Sequence, residues 1–257
     1  MSRVFITGSA DGLGKMAAQL LVSQGHRVVL HARNASRARE AMSEVPGAEE
    51  AVTGDLASLE ETKALADQVN ALGAFDAVIH NAAIGYRERE RGSTAEGAPR
   101  VFAINTLAPY LLTVLIRKPE RLIYLGSGMH RSGESTLRDR EWKARRWDGS
   151  QAYADSKLQD VILAFALARL WPSVYSNAVD PGWVPTKMGG RSAPDDLSKG
   201  AETQAWLAVS DDAAARVSGQ YFYHKRPRES HPAARDLQVQ DTLLAACARL
   251  SGVPRPE

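Results

Sequence analysis

The sequence predicts an α/β fold, a doubly wound parallel sheet with helices on both faces, and two observations support this prediction. Short runs of β-branched residues alternate with longer segments of helical spacing from one end of the chain to the other. A glycine-rich turn directly follows the first of these runs. No internal repeat, low-complexity linker or shift in composition divides the 257 residues, so we expect a single domain, residues 1–257.

The individual elements follow from the spacing of apolar residues and from the residues that end each run. The predicted strands span residues 3–6, 27–31, 50–53, 75–80, 121–125, 174–179 and 219–223. The predicted helices span residues 12–24, 34–45, 58–72, 101–116, 153–170, 199–209 and 236–250. Asn34 or Ser36 and then Ser58 are candidate caps for the second and third helices, whereas Pro109 should kink or re-cap the fourth.

Two polar stretches interrupt this alternation, and both follow strands, so both should lie at the carboxyl edge of the sheet. Residues 133–150 are basic and carry two tryptophans, and residues 182–198 are rich in glycine and proline. Long loops at such an edge are often lids or binding loops. The alternative for residues 133–150 is a solvated loop whose tryptophans pack locally. We expect residues 225–228 to form a surface turn after the last strand.

Composition excludes several classes of function. The formal net charge of +2 is too small to predict nucleic-acid binding or attraction to an anionic membrane. No apolar run approaches the roughly 20 residues of a membrane span. The single cysteine, Cys247, cannot form an intrachain disulfide, and no spacing among the histidines predicts a metal site. A cytoplasmic protein is therefore expected.

The glycine-rich turn lies between the first predicted strand and helix, in the run Thr7-Gly8-Ser9-Ala10-Asp11-Gly12-Leu13-Gly14. Backbone N–H groups in such a turn can approach an anion, and the helix N-terminus adds about half a unit of positive charge. A tight turn whose glycines serve only packing is the alternative. The position directly after the first strand favours the diphosphate of a dinucleotide in a Rossmann-type fold.

The end of the second predicted strand indicates which dinucleotide would bind. An NAD-dependent site usually has a carboxylate there for the ribose 2′-hydroxyl, whereas this chain has Ala32-Arg33-Asn34. A guanidinium suits a 2′-phosphate because it can donate two charge-assisted hydrogen bonds. The sequence therefore favours NADP(H), with NAD(H) and a merely solvated Arg33 as the alternatives.

Three further residues form a candidate catalytic group. Tyr153 and Lys157 lie four residues apart on a predicted helix and therefore share one face. The ammonium should favour the phenolate and make the tyrosine a better proton donor and acceptor near neutral pH. Ser127 ends a predicted buried strand, at the same edge of the sheet as the glycine-rich turn.

Together these motifs resemble those of the classical short-chain dehydrogenases/reductases, over residues 7–219. The resemblance implies that Tyr153 is the general acid/base and that Ser127 orients the substrate oxygen. It also implies that Lys157 tunes the tyrosine and holds the nicotinamide ribose, and that Asn105 holds a water that links Lys157 to solvent. The expected cofactor-binding residues are Gly8, Ser9, Asp11, Gly12, Leu13, Gly14, Arg33, Asn34, Asp55, Leu56, Asn81, Ala82, Ala83, Tyr153, Lys157, Pro181, Gly182, Val184 and Thr186.

Some features depart from the usual pattern of that family. Ala83 stands where glycine is usual, and the segment between Asn105 and Ser127 is short, which predicts a truncated or bent helix. The long gap from Ser127 to Tyr153 and the run Asp180-Pro181-Gly182-Trp183 resemble the retinol-dehydrogenase-like and WW-domain-oxidoreductase-like branch. Trp183 and Met188 should line the substrate pocket together with Ser127.

The leading hypothesis is an NADP(H)-dependent oxidoreductase that interconverts a small or medium-sized, partly apolar carbonyl and its alcohol. A non-catalytic dinucleotide-sensing or scaffold protein with the same fold is the alternative. An enzyme that uses the nicotinamide for epimerisation or dehydration would be expected to have a longer C-terminal substrate domain. Helices 101–116 and 153–170 often build dimer interfaces in this family, so a homodimer is possible.

Overall fold

A computed structural model describes residues 1–256 and contains one eight-stranded sheet with helices on both faces. Its strands are β1 (Arg3–Ile6), β2 (Arg27–Ala32), β3 (Glu50–Thr53), β4 (Ala77–His80), β5 (Arg121–Leu125), β6 (Tyr175–Asp180), β7 (Tyr221–Tyr223) and β8 (Arg226–Arg228). Its helices are α1 (Gly12–Ser23), α2 (Ala35–Glu44), α3 (Leu59–Ala71), α4 (Arg100–Phe102), α5 (Ala108–Leu115), α6 (Gly149–Leu170), α7 (Glu202–Val209) and α8 (Leu237–Ser251).

The strand order is β3-β2-β1-β4-β5-β6-β7-β8, and every neighbouring pair is parallel except β7 and β8. The chain leaves β1 toward one edge of the sheet, returns, and continues from β4 toward the other. Ligands of doubly wound sheets bind at the carboxyl ends of the strands where this reversal occurs. The predicted Rossmann-type fold is confirmed, and its reversal point lies between β1 and β4.

The prediction for residues 225–228 was wrong, because Arg226–Arg228 forms β8, antiparallel to β7. The two residues of the connecting turn, His224 and Lys225, have φ angles of 48° and 60°. Positive φ at both central positions is typical of a tight hairpin turn that usually contains asparagine or glycine. Neither residue type is present here, so the sequence carries no turn signal. Pro227 is tolerated because β8 is an exposed edge strand.

The helix predicted over residues 101–116 is irregular in its middle. Between α4 and α5 the chain forms a π-helical turn, Ala103–Leu107, which is wider than an α-helical turn. Pro109 explains this, since it has no N–H to donate to the carbonyl of Asn105 and its ring would crowd that carbonyl. The irregularity expected from Pro109 therefore occurs in the turn that precedes it and contains Asn105.

Helix α6 begins at Gly149, one turn earlier than predicted, because the Asp148 carboxylate caps it by accepting from the Gln151 N–H at 3.0 Å. Residues 152–167 are all buried. The sheet covers one side, and α8 with the turn Pro232–Arg235 covers the other. A dimer through α6 would have to displace this cover. Among residues 1–256, no helix is both long and apolar enough to cross a membrane.

The stretch of residues 133–150 packs against the body of the protein. The rings of Trp142 and Trp147 lie 5.0 Å apart, and the Trp147 indole donates to the Glu88 carbonyl at 3.0 Å. Arg145 stacks over Trp142 at 3.6 Å and forms an ion pair with Asp155 of α6 at 2.5 Å. The two tryptophans of residues 133–150 therefore pack locally. Movement of this segment as a lid remains a prediction.

The turn after β1 is held tightly against the turn after β4. The Thr7 hydroxyl accepts from the N–H groups of Asn81 and Ala82, both at 3.0 Å. The Asn81 amide donates back to the carbonyls of Thr7 and Gly8 at 2.9 and 3.1 Å. A side chain on Gly14 would place its Cβ 2.5 Å from the Gly8 carbonyl oxygen and closer still to the Asn81 amide. Only glycine fits at position 14.

We therefore expect Gly14→Ala to lower the free energy of unfolding by roughly 2–3 kcal/mol or more, because the added methyl group overpacks this junction. Gly12→Ala is the matched control: its φ is 52°, but no atom lies within 4 Å of the added Cβ. Backbone strain alone should then cost about 1 kcal/mol. Denaturant titration measures both values, and equal losses would contradict this account of the junction.

Helix α8 packs over α6, and this packing should contribute to the stability of the protein. Leu243 of α8 is fully buried in the core that contains α6, whereas Leu237 on the same helix is 57% exposed. Leu243→Ala should lower the free energy of unfolding by about 2–5 kcal/mol, because it leaves a cavity. Leu237→Ala should change it by no more than about 0.5 kcal/mol. Similar effects of the two variants in denaturant titrations would mean that α8 is not packed as described.

Candidate active site

A cleft of about 490 Å³ opens at the carboxyl edge of the sheet, at the reversal point between β1 and β4. Segments that lie far apart in sequence meet here because the carboxyl ends of parallel strands share one edge. Most of the residues predicted to bind cofactor line the cleft, together with Met188. The predicted residues in its wall are Gly8, Asp11, Gly12, Leu13, Arg33, Asp55, Leu56, Asn81, Ala82, Ala83, Tyr153, Lys157, Pro181, Thr186 and Met188.

The glycine-rich turn presents free backbone donors to the cleft. Gly8 and Gly12 have φ angles of 63° and 52°, which favour glycine. The Gly8 N–H is not free, because it donates to His31 Nδ1 at 2.9 Å. Leu13 and Gly14 lie in the first turn of α1, where N–H groups have no carbonyl partner within the helix. These two donors and the helix dipole make this end of the cleft suited to an anion.

His31 lines the cleft and was not predicted as a site residue from the sequence. Its Nε2 lies 2.9 Å from the Gly54 carbonyl, so the ring connects the turn after β1 to the turn after β3. Burial lowers the pKa of His31, which favours the neutral ring. The two turns that His31 joins are close only in the folded protein. The spacing of residues in the sequence therefore does not predict that His31 connects them.

Two arginines line the cleft near the end of β2, Arg33 directly after the strand and Arg37 in α2. Arg33 is exposed and lines the wall, while Asn34 caps α2 by accepting from the Arg37 N–H at 3.0 Å. Arg37 also lines the wall and donates to the Ala10 carbonyl at 3.2 Å. It lies 3.8 Å from the Asp11 carboxylate. Arg33 was predicted from the sequence as a cofactor-binding residue. Arg37, four residues further on, also lines the cleft and was not predicted.

Several predicted cofactor residues support the cleft wall from behind. The Ser9 side chain is fully buried, accepting from the His31 N–H at 2.8 Å and donating to the Ile6 carbonyl at 2.9 Å. Val184 is buried, and Gly182 has a φ of 85° in the turn that follows β6. These residues shape the loops, and direct contact between them and a ligand remains a prediction.

An ion pair crosses the mouth of the cleft. Lys187, in the loop after β6, contacts the Asp11 carboxylate in the glycine-rich turn. The Lys187 hydrogen bond, together with the charge of Arg37, lowers the pKa of Asp11, and partial burial opposes this only in part. Because the Lys187 side chain is 84% exposed, this contact contributes little to stability. It does bring together the two loops that border the cleft.

The structure brings the three residues of the candidate catalytic group close together. Tyr153 and Lys157 line the floor of the cleft, and the Ser127 side chain, just outside the lining, is close enough to the Tyr153 phenol to lower its pKa. The Lys157 ammonium lies 5.7 Å from the centre of the tyrosine ring. Ser127 is itself held by His130, whose Nδ1 donates to the Ser127 carbonyl at 2.7 Å.

The electrostatic balance at Tyr153 differs from the sequence-based expectation. Burial raises the pKa of Tyr153, and this outweighs the Lys157 charge and the nearby Ser127 hydroxyl, which lower it. The carboxylates of Asp160 and Asp180 raise the pKa further. Lys157 lowers the pKa of Tyr153, as predicted, but the net effect of all groups is to raise it. The phenol therefore keeps its proton at neutral pH. Burial and two distant carboxylates are not visible in the spacing of Tyr153 and Lys157.

Lys157 is fully buried and strongly held. Its ammonium donates to the Leu125 carbonyl at 2.6 Å and to the Asp160 carboxylate at 2.8 Å. Burial disfavours the charge on Lys157, but the Asp160 carboxylate outweighs this and holds the pKa of Lys157 above its usual value. Asp160 is a second residue that the sequence analysis missed, although it lies three positions after the lysine.

Asn105 lies in the π-helical turn between α4 and α5. Its side-chain oxygen accepts from the Ile84 N–H at 2.9 Å, and its amide donates to the Ile84 carbonyl and to the Ser156 hydroxyl, both at 3.0 Å. The side chain thus connects this turn to the loop after β4 and to α6. The predicted water-mediated connection from Asn105 to Lys157 remains a prediction.

Two loops meet above Tyr153. The Tyr86 ring contacts the Tyr153 ring edge-on at 5.8 Å, and the Tyr86 hydroxyl donates to the Gly189 carbonyl at 3.3 Å. Met188 lines the cleft as expected. Trp183 lies outside the lining: its side chain is 53% exposed, and its indole donates to the Gly189 carbonyl at 3.0 Å. Contact between Trp183 and substrate remains a prediction.

No group of three or more His, Cys, Asp and Glu side chains among residues 1–256 is arranged to hold a metal ion. The histidines near strand ends have other partners. Burial lowers the pKa of His80 to about 3, and its Nε2 lies 3.0 Å from the Thr113 hydroxyl. Burial also lowers the pKa of His130 to about 4.

The whole length of the chain is similar in sequence to known oxidoreductases. The family model described as short chain dehydrogenase matches residues 2–120. An uncharacterised oxidoreductase of Emericella nidulans is 47% identical, covering 100% of this chain and 99% of that protein. Retinol dehydrogenase 13 of Homo sapiens is 29% identical, covering 98% of this chain and 85% of that protein. These relatives do not favour the non-catalytic alternative.

Solved structures agree with the fold. The crystal structure of an uncharacterised protein from Mycobacterium paratuberculosis has a TM-score of 0.86 at 24% identity, covering 100% of this chain and 96% of that one. A blue fluorescent protein from a metagenomic library, solved in complex with NADPH, has a TM-score of 0.69 at 22% identity, covering 86% of this chain and 95% of that one. With the glycine-rich turn, Ser127, Tyr153 and Lys157 assembled around one cleft, the chain belongs to the short-chain dehydrogenase/reductase family of oxidoreductases, which use a nicotinamide dinucleotide.

Proposed function

We propose that this protein is an NADP(H)-dependent oxidoreductase that interconverts a carbonyl and an alcohol, with Tyr153 as the general acid/base. The observation that carries the proposal is the grouping of Ser127 with Tyr153 and the buried Lys157 at the floor of the cleft. The substrate is a small or medium-sized, partly apolar molecule, which would enter beside Tyr86 and Met188. A cytoplasmic location remains a prediction.

The side chains present suit this chemistry. The bound dinucleotide supplies the hydride that reduces the carbonyl carbon. Tyr153 donates its phenolic proton to the carbonyl oxygen, and its raised pKa keeps that proton in place at neutral pH. The Ser127 hydroxyl donates to the same oxygen and stabilises the charge that develops on it. In the direction of oxidation, Tyr153 accepts the proton of the alcohol.

Two features support NADP(H) over NAD(H). Among residues 1–256 the guanidinium of Arg33 has no hydrogen-bond or ion-pair partner, so its donors are free for a 2′-phosphate. Residues 32–34 at the end of β2 include no acid that would repel such a group. The structural relative that was solved with NADPH is consistent with this choice.

Tyr153→Phe should lower kcat by roughly a hundred- to ten-thousand-fold, because the proton donor is lost while the ring and its packing remain. The measurement is the change in nicotinamide absorbance with NADPH and a panel of carbonyl compounds. Tyr110→Phe is the matched control, because Tyr110 is equally buried but its hydroxyl donates to the distant Val253 carbonyl. Full turnover by Tyr153→Phe would rule out the proposed role.

Arg33→Ala should weaken NADPH binding by roughly ten- to a hundredfold, because charge-assisted hydrogen bonds to the 2′-phosphate are lost. NADH, which lacks that phosphate, should bind Arg33→Ala about as well as it binds the wild-type protein. Arg39→Ala removes the same charge from the exposed face of α2 outside the cleft and serves as the control. Calorimetric titration with each dinucleotide tests this, and equal losses for NADPH and NADH would contradict the assignment.

A further inference from the structure

The ion pair between Lys157 and Asp160 lies directly beneath the proposed acid/base. Its two side chains are 3% and 4% exposed, and the donor and acceptor atoms are 2.8 Å apart. The second oxygen of Asp160, Oδ1, has no hydrogen-bond partner among residues 1–256. Asp160 therefore has one strong interaction, and it is with the lysine that faces Tyr153.

Stability does not explain why an acid is present at this position. Removing two charges from water costs several kcal/mol per ion, and a buried ion pair is often no more stable than an apolar pair of similar size. The free Oδ1 adds an unsatisfied acceptor to that cost. The carboxylate acts instead on Lys157, whose pKa it raises although burial disfavours the charged ammonium.

Asp160 also orients the lysine. An ammonium has three N–H donors, and Lys157 uses one for the Leu125 carbonyl and one for Asp160. These two bonds fix the ammonium at the end of β5 and leave one donor for the cleft. A lysine without Asp160 would have two donors unassigned and a less defined position.

Several charged and titratable groups face Tyr153. Lys157 and Asp160 lie on its own helix, Ser127 follows β5, Asp180 ends β6, Tyr221 lies on β7, and Tyr86 lies in the loop after β4. Lys157 is the only cation among these six groups. The carboxylates of Asp160 and Asp180 act on the phenol in the opposite direction to the lysine. Asp160 is the one in direct contact with that cation.

We propose that Asp160 is a positioning residue that orients Lys157 and offsets part of its positive charge, so that Tyr153 holds its proton over a wider range of pH. This inference rests on the proposed role of Tyr153. With Asp160 ionised, the phenol is a proton donor at neutral pH, which suits reduction of a carbonyl. Without the carboxylate, the charge of Lys157 acts fully on the phenol and favours the phenolate, which suits oxidation of an alcohol.

The test is Asp160→Asn, which keeps the size of the side chain and an oxygen that can accept from Lys157 but removes the charge. Tyrosine ionisation is followed by NMR with tyrosine labelled at Cζ, and the Tyr153 signal is assigned by its absence in Tyr153→Phe. We expect Tyr153 to ionise at lower pH in Asp160→Asn than in the wild-type protein. On the acidic side of that titration, alcohol oxidation with NADP⁺ should rise roughly three- to tenfold.

Asp155→Asn is the matched control. Asp155 is also a buried carboxylate of α6, but it pairs with Arg145 on another face of the helix. It should lower stability and leave the titration of Tyr153 unchanged. Asp160→Ser, a second neutral variant with a smaller side chain, should shift the titration in the same direction as Asp160→Asn.

An unchanged Tyr153 titration in the neutral Asp160 variants would overturn the inference, and so would ionisation of Tyr153 at higher pH, because Lys157 would then have lost its own charge. So would failure of both neutral variants to fold, because Asp160 would then be a structural counter-ion only. The NMR titration needs no substrate, which separates this inference from the proposed function. If Tyr153→Phe keeps full turnover, the proposed function fails whatever the titration reveals; if only the titration is unchanged, the role of Asp160 fails alone.

Discussion

The close contact between the turns after β1 and β4 is the constraint on which the site depends. Thr7 and Asn81 exchange side-chain and backbone hydrogen bonds across this junction, and Gly14 leaves no space for a side chain there. The junction lies where the sheet reverses its direction of growth, and Gly8, Asn81 and Ala82 of the junction line the cleft. The free N–H groups of α1 and the floor formed by α6 are both placed relative to it.

A balance between burial and charge governs the chemistry of the cleft. Burial of Tyr153 opposes loss of its proton, and Lys157 favours that loss. The lysine is buried as well, and the neighbouring Asp160 carboxylate raises its pKa. A cation, an anion and a phenol thus share one poorly solvated region, where each charge acts strongly on its neighbours. The behaviour of the tyrosine is a property of this group rather than of the tyrosine–lysine pair alone.

Much of this arrangement could be predicted from the sequence, because the informative residues carry local signals. The glycines after β1 and the periodicity of α6 specify an α/β fold and bring Tyr153 and Lys157 to one face. Contacts between segments that lie far apart in the chain have no local sequence signal and could not be predicted. His31 joins two turns that meet only in the folded protein, and the β7–β8 turn has positive φ without asparagine or glycine. The proton affinity of Tyr153 depends on burial, which a residue spacing cannot express.

Helix α8, which packs over α6, is the last element of the chain to be synthesised. The sheet and α6 are synthesised before α8, so the apolar side of α6 has no cover until α8 has been made. Exposed apolar surface on a partly made domain invites association with other chains. The cover is complete only when α8 packs on α6 and the Tyr110 hydroxyl donates to the Val253 carbonyl. The helix that carries Tyr153 and Lys157 therefore depends on the C-terminal segment of the chain for its burial.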